Sequence, residues 1–169
     1  MRHLRRLGLL LAAIAGLLVL LLPGPASLAQ DGPADPGDLR IQQLRIQVMP
    51  EFDDPRVLVI VQGRIAAAEN QFPVPVTFRL PLESQINQMA TIEAMGGGTS
   101  AEAFDTRPDP DDGRWLLATY DLRDAHFFYE YYYDALAADA DKDFTFVASS
   151  LYPVDDLLIE VQEPAAASG

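Results

Sequence analysis

Apolar side chains recur at every second position along most of this chain, and turn-forming residues interrupt them every eight to fourteen positions. Such a rhythm belongs to short strands with one face buried and one face wet. Leu44, Ile46 and Val48 alternate with Arg45 and Gln47, whereas Leu39 and Ile41 sit in the opposite phase, which predicts a β-bulge near Gln42-Gln43. "PEFDDPR", residues 50–56, makes the following turn. Val57 to Val61 is wholly apolar, as expected of a central strand covered on both sides, and it runs on to Ile65. Val76, Phe78 and Leu80 alternate with Thr77 and Arg79 between Pro73, Pro75 and Pro81; proline cannot donate to a ladder, so this strand belongs at an edge. Gln85 to Ala94 is a weaker strand closed by Gly96-Gly97-Gly98, and Glu102 to Thr106 forms a short return. "RPDPDDG", residues 107–113, is the strongest turn in the chain. Strands are then expected at Trp115–Leu122, at the aromatic run from Phe127, at Phe144–Ser150, and at Leu157–Gln162 with Leu157, Ile159 and Val161 inward. No helical stripe exceeds two turns, although Ala135 to Ala140 allows one turn, and no repeat is found.

The expected fold is therefore all-β: a single antiparallel β-sandwich of about eight strands, immunoglobulin- or fibronectin-like in architecture. Likeness of layers says nothing about chemistry. The inter-sheet disulfide of immunoglobulin domains is ruled out, since the chain has no cysteine, and Trp115 is the lone tryptophan available to anchor the core. An Ile60→Asp substitution in the central strand is expected to prevent folding.

The first residues read as an export signal. Arg2, Arg5 and Arg6 form a basic head, Leu7 to Leu22 is an apolar run of sixteen residues, and Pro23, Gly24 and Pro25 precede Ser27-Leu28-Ala29, a cleavage site with small residues at its recognition positions. Sixteen residues fall short of the roughly 20 that cross a bilayer. The expected organisation is a cleaved signal peptide over residues 1–29, a flexible lead-in over 30–37, the β-sandwich over 38–164 and a disordered tail over 165–169. The protein is thus expected to be secreted, periplasmic or on the cell surface. It would associate with a membrane only if the signal stays uncleaved or an anchor lies downstream. Without disulfides, an exported chain must be held by its core.

Charge narrows the partners. The full chain carries 25 acidic and 12 basic residues, a net of −13. Removing the signal takes three arginines, leaving 9 − 25 = −16. Such a surface repels nucleic acid and anionic headgroups, so no nucleic-acid partner is expected.

"FFYEYYYD", Phe127 to Asp134, is the densest candidate for chemistry. In a strand, Phe127, Tyr129, Tyr131 and Tyr133 share one face while Phe128, Glu130 and Tyr132 share the other, and Glu130 favours solvent for its own face. Burying the odd-numbered face makes the rings architecture. Exposed, Tyr129, Tyr131, Tyr132 and Tyr133 would offer flat surfaces to a polysaccharide or a protein partner. Asp139, Asp141 and Asp143 alternate as calcium ligands do, but the sixth and twelfth places hold Phe144 and Ser150 instead of glycine and a bidentate carboxylate. A solvated acidic turn accounts for them better; calcium here is the sole cofactor reading the residues offer. After position 30 one histidine remains, His126, which lies beside no nucleophile motif, and no serine occupies a G-x-S-x-G context. No enzyme is expected. The reading is an exported, non-catalytic binding module of the cell envelope. The alternatives are a structural spacer without ligand and a calcium-dependent adhesion-type module.

Overall fold

Two β-sheets and the irregular segments between them make up the described chain. The computed structural model describes residues 38–68, 71–93, 98–136 and 144–163. The signal-peptide, lead-in and tail assignments, and the acidic candidates Asp139, Asp141 and Asp143, lie outside these residues. All described residues belong to one compact unit. The fold is all-β, as expected.

Nine strands follow one another: β1 (Ile41–Pro50), β2 (Val57–Ile65), β3 (Val74–Pro81), β4 (Gln85–Ile92), β5 (Thr99–Ala101), β6 (Asp105–Pro108), β7 (Trp115–Leu122), β8 (His126–Tyr133) and β9 (Val154–Val161). They form a six-stranded sheet in the order β5-β4-β8-β2-β1-β9 and a three-stranded sheet in the order β3-β7-β6. Every pairing is antiparallel except β1 with β9, which run parallel. The bulge expected near Gln42-Gln43 is present, for the β1–β2 register shifts between Ile41 and Gln43. β3 takes the expected edge position in its sheet.

Period-two alternation puts Val57, Val59 and Val61 on the inner face of β2, in register with Tyr133, Tyr131 and Tyr129 of β8. All six are buried. Val74, Val76, Phe78 and Leu80 of β3 answer from the small sheet, and Phe78 closes the layer with its ring centroid 4.8 Å from Phe127 and 4.7 Å from Tyr129. Aromatic contacts at this spacing add roughly 0.5–1.5 kcal/mol beyond area burial.

Four expectations change. The segment Phe144–Ser150 is not a strand; it crosses irregularly with Phe144 and Phe146 packed on the core, because no neighbouring backbone completes a ladder with it. Trp115 is buried but stands outside the main core cluster, opposite Pro81 at the start of β7 and around one hollow with Tyr133 and Val147, its indole N–H donating to Asp112 at 3.2 Å. β2 is central but covered by a layer on one face alone; on the other face Leu58 is buried among neighbouring side chains, while Ile60 is half-buried between Gln47 and Glu130. Finally, Leu157, Ile159 and Val161 lie on the core-facing side of β9, in register with Leu44, Ile46 and Val48, yet all three are exposed.

The last result follows from sheet widths. Strands stand about 4.8 Å apart, so three strands span less than half the width of six. The small sheet sits over β8, where Phe78 meets the aromatic row. Phe144, Phe146 and Tyr152 extend the cover toward β1. β9 lies beyond both.

Candidate functional site

The expected ring platform divides by face. Tyr129, Tyr131 and Tyr133 are buried in a row whose successive centroids lie 6.4 and 6.0 Å apart, and Phe127 continues it 6.2 Å from Tyr129. Burial pushes the phenol groups of Tyr129 and Tyr131 well above their ordinary range. These three rings are part of the core and are not available to stack on a ligand. Tyr132 alone reaches the outer face. There its hydroxyl donates to Asp53 at 2.9 Å and the Arg56 guanidinium lies 4.8 Å from its ring centroid. Arg56 also holds Asp54, at 2.7 Å, and donates to Gln85 at 2.8 Å. The hydrogen bonds that Asp54 accepts from the side chain and then the amide of Arg56 bring its carboxyl down to about 2. The cluster ties the Glu51–Arg56 turn to β8 and β4, and its polar groups are satisfied within it.

Other carboxyls are held by similar partners. Asp109 is held below the usual range first by the amide of Asp111 and then by Arg79, whose Nε lies 2.7 Å away. Asp112 is lowered by Arg114. Buried Glu102 accepts from Thr91 at 2.9 Å and pairs with Arg123 at 3.2 Å. Each arrangement fastens a turn or strand end. Among the described residues no group of three His, Asp or Glu side chains could hold a metal ion.

The feature without such an internal explanation is β9. An edge strand offers a row of unpaired N–H and C=O groups, and folded proteins blunt that row. β3 is blunted by Pro75 and Pro81, and the amide of Thr77 is capped by the Tyr152 hydroxyl at 2.8 Å. β6 is four residues long, polar, and ends in Pro108. β5 is three residues long, and the part of β4 it leaves bare carries a register shift between Ile86 and Gln88. β9 is eight residues long, has no proline or glycine, and exposes Leu157 by 53%, Leu158 by 52%, Ile159 by 44% and Val161 by 65%.

Its charges do not guard it. Asp155 is paired with Arg40 and Glu160 with Arg45, both from β1, leaving Asp156 as the acid of the strand without a salt bridge. On the core side a groove follows the strand. At one end a hollow of about 120 Å³ opens between Ile46, Phe78, Phe146 and Leu157, and at the other a hollow of about 220 Å³ lies between Pro50, Leu136, Phe144 and Val161. The residues missed from the sequence as a surface are therefore Leu157, Leu158, Ile159 and Val161. The only signal available was the absence of any breaker or charge inside the run "LLI".

No protein-family model matches the chain, and no curated protein does. Among solved structures, yeast LTA4 hydrolase in complex with bestatin aligns over 62% of this chain and 16% of its own length, at 9% identity and a TM-score of 0.38. A likeness at that level carries no argument.

Proposed function

We propose that this chain is an exported, non-catalytic β-sandwich interaction module, immunoglobulin- or fibronectin-like in its layering, that engages a protein partner along the free edge of β9. One observation carries the reading: among the described residues three of the four sheet edges are short, proline-bearing or capped, while β9 is long, largely apolar and without a further strand beside it. Addition of a strand to such an edge gains affinity from main-chain hydrogen bonds and specificity from alternate side-chain contacts. A protein partner is favoured over a polysaccharide because the buried Tyr129, Tyr131 and Tyr133 leave Phe128 and Tyr132 as the half-buried rings of the run, and Arg56 already covers Tyr132. The non-catalytic part of the reading is supported by the displaced carboxyls Asp54, Asp109 and Asp112, each of which sits against an arginine that fixes a turn.

The test compares capture of cell-envelope proteins by the wild-type chain with capture by Ile159→Lys and by Tyr132→Ala. Loss in the first variant with retention in the second supports the β9 edge. Retention in Ile159→Lys, with the variant folded, removes β9 from the account.

A further inference from the structure

We infer that the strand added to β9 is β9 of a second copy, joined antiparallel about a two-fold axis through Ile159. The inference rests on the edge reading above and goes further by naming the occupant and its register.

The backbone sets which residues can pair. The amide of Gln162 donates to the carbonyl of Val48 at 2.9 Å, so the even-numbered residues at this end of β9 turn their polar groups toward β1. Alternation then turns the N–H and C=O groups of Leu157, Ile159 and Val161 outward. In an antiparallel pair, outward-facing residues meet as hydrogen-bonded pairs, so odd residues of one copy oppose odd residues of the other. A two-fold axis perpendicular to the sheet satisfies this and keeps the core-facing sides of both copies on one side.

Charge and apolar matching select among the remaining registers: like charges directly opposite destabilise a strand pair, and centring on Leu157 would break the apolar seam by setting Ile159 against Asp155 of the second copy. Centring on Leu158 would set Asp156 against Glu160 of the second copy, twice. Centring on Glu160 would set that residue against itself. Centring on Ile159 places Leu157 opposite Val161 of the second copy and Ile159 opposite Ile159, which makes one apolar seam on the core-facing side. On the other side Asp156 meets Gln162 and Leu158 meets Glu160. Only the end pair, Asp155 with Glu163, brings acids together, and Asp155 is already paired with Arg40. The strip is thus complementary to itself despite the net charge of −13. Four side chains now 44–65% exposed and the backbone edge from Asp155 onward would leave water on each copy. That is the low end of specific interfaces, about 1,000 Å² in total, and it makes the dimer reversible.

Sedimentation velocity of the chain without residues 1–29, from about 1 to about 200 µM, should show the monomer giving way to a species of twice its mass, and Ile159→Lys should hold it monomeric. Because the chain has no cysteine, single-cysteine variants report the register directly. Ile159→Cys brings two thiols onto the axis at a Cα separation of about 5.5 Å, within disulfide range, and should cross-link under mild oxidation. Leu157→Cys leaves its twin about 13 Å along the seam and should not. Comparable cross-linking of both variants overturns the register. A chain monomeric throughout the range, without selective cross-linking, overturns the second copy. If such a chain still captures envelope proteins through Ile159, the partner is a different protein and the edge reading stands; if capture is also absent, both fail.

Discussion

Gly63 offers the sharpest test of how the six-stranded sheet is packed. It lies in β2 directly opposite Phe127 of β8 and Leu44 of β1. A Cβ built there would stand 2.3 Å from Cζ of Phe127, 2.7 Å from its Cε1, and 2.6 Å from the carbonyl oxygen of Gln43. Ordinary carbon contacts begin near 3.5 Å, so the ring would have to retreat by about 1 Å. It has no room to do so. Phe127 is fully buried, with Phe78 4.8 Å away by centroid and Tyr129 stacked at 6.2 Å. The Gln43 oxygen belongs to the backbone at the bulge of β1. Replacing a strand glycine by alanine ordinarily stabilises by about 0.5–1 kcal/mol. Here overpacking reverses the sign, and with both a pinned ring and a backbone atom in the way the cost falls at the upper end of the usual range, about 3 kcal/mol. Against a total of about 5–15 kcal/mol that is a large fraction, and it corresponds to a melting point lower by about 10 °C. Urea titration followed by tryptophan fluorescence of Trp115 and by circular dichroism would measure it. Phe127→Leu should cost less in the Gly63→Ala background than in the wild type, by about 1 kcal/mol or more. A Gly63→Ala chain as stable as the wild type, or additive with Phe127→Leu, would refute the packing.

Burial raises the phenol groups of Tyr120, Tyr129 and Tyr131 far above the unfolded value near 10. Below pH 10 both states are neutral and stability is intact; above it the unfolded chain alone releases protons, so stability falls as pH rises. Phenolate absorbance of these tyrosines should therefore appear together with loss of the folded circular dichroism, and their independent titration near pH 10 in a folded chain would contradict their burial. Asp109 carries the opposite sign: its folded carboxyl is depressed, so its contribution is present above the ordinary aspartate range and is lost as pH falls through the lower folded value. Asp109→Ala should lower the urea midpoint at pH 7 and change it much less in strong acid; equal effects at both would separate Asp109 from Arg79. Val59→Asp puts an unpaired charge into the inner face and should abolish cooperative folding at a cost of several kcal/mol. Ile60→Asp, expected from sequence to do the same, lies half-buried beside Glu130 and should fold with a loss of about 1–2 kcal/mol; a cooperative melt for Val59→Asp overturns the face assignment.

What was legible in the sequence was local. The phase change around Gln42-Gln43 marked the bulge, because one extra residue must flip every side chain that follows it. Glu130 marked the outer face of β8 through the cost of burying a carboxylate, and the odd-numbered rings duly line the core. Coverage was not legible, since it depends on which strands share a sheet. Val57 to Val61 is uniformly apolar, yet one side of β2 meets a facing layer and the other meets only neighbouring side chains. Phe144 and Phe146 alternate like strand residues, but alternation without an adjacent backbone gives packing and no ladder. Trp115 was expected to anchor the core because it is the sole tryptophan; it is buried at the end of the small sheet opposite Pro81, outside the main cluster. In the ring run, a mixed platform of four tyrosines reduces to Tyr132.

The uncovered position of β9 also separates binding from stability. The segment that leads into it finishes the core: Phe144 and Phe146 pack over the sheet, and Tyr152 both contacts Phe78 at 6.4 Å and caps the free amide of Thr77. β9 itself is held to β1 by its backbone ladder and by the Arg40–Asp155 and Arg45–Glu160 pairs. Its apolar side chains keep roughly half of their surface exposed in the isolated chain, so removing one sacrifices less of the burial that drives folding than removing a core residue does. Ile159→Lys should therefore shift stability by no more than about 0.5 kcal/mol, as exposed substitutions generally do, while ending association along the edge. Substitution of Val48, the buried residue that faces Val161 across the β1–β9 register, should do the reverse: Val48→Ala should cost about 1–3 kcal/mol in folding and leave association of the folded fraction in place. If the two variants instead lose stability and association in proportion, β9 is an ordinary part of the core, and neither the edge contact nor the two-fold pairing survives.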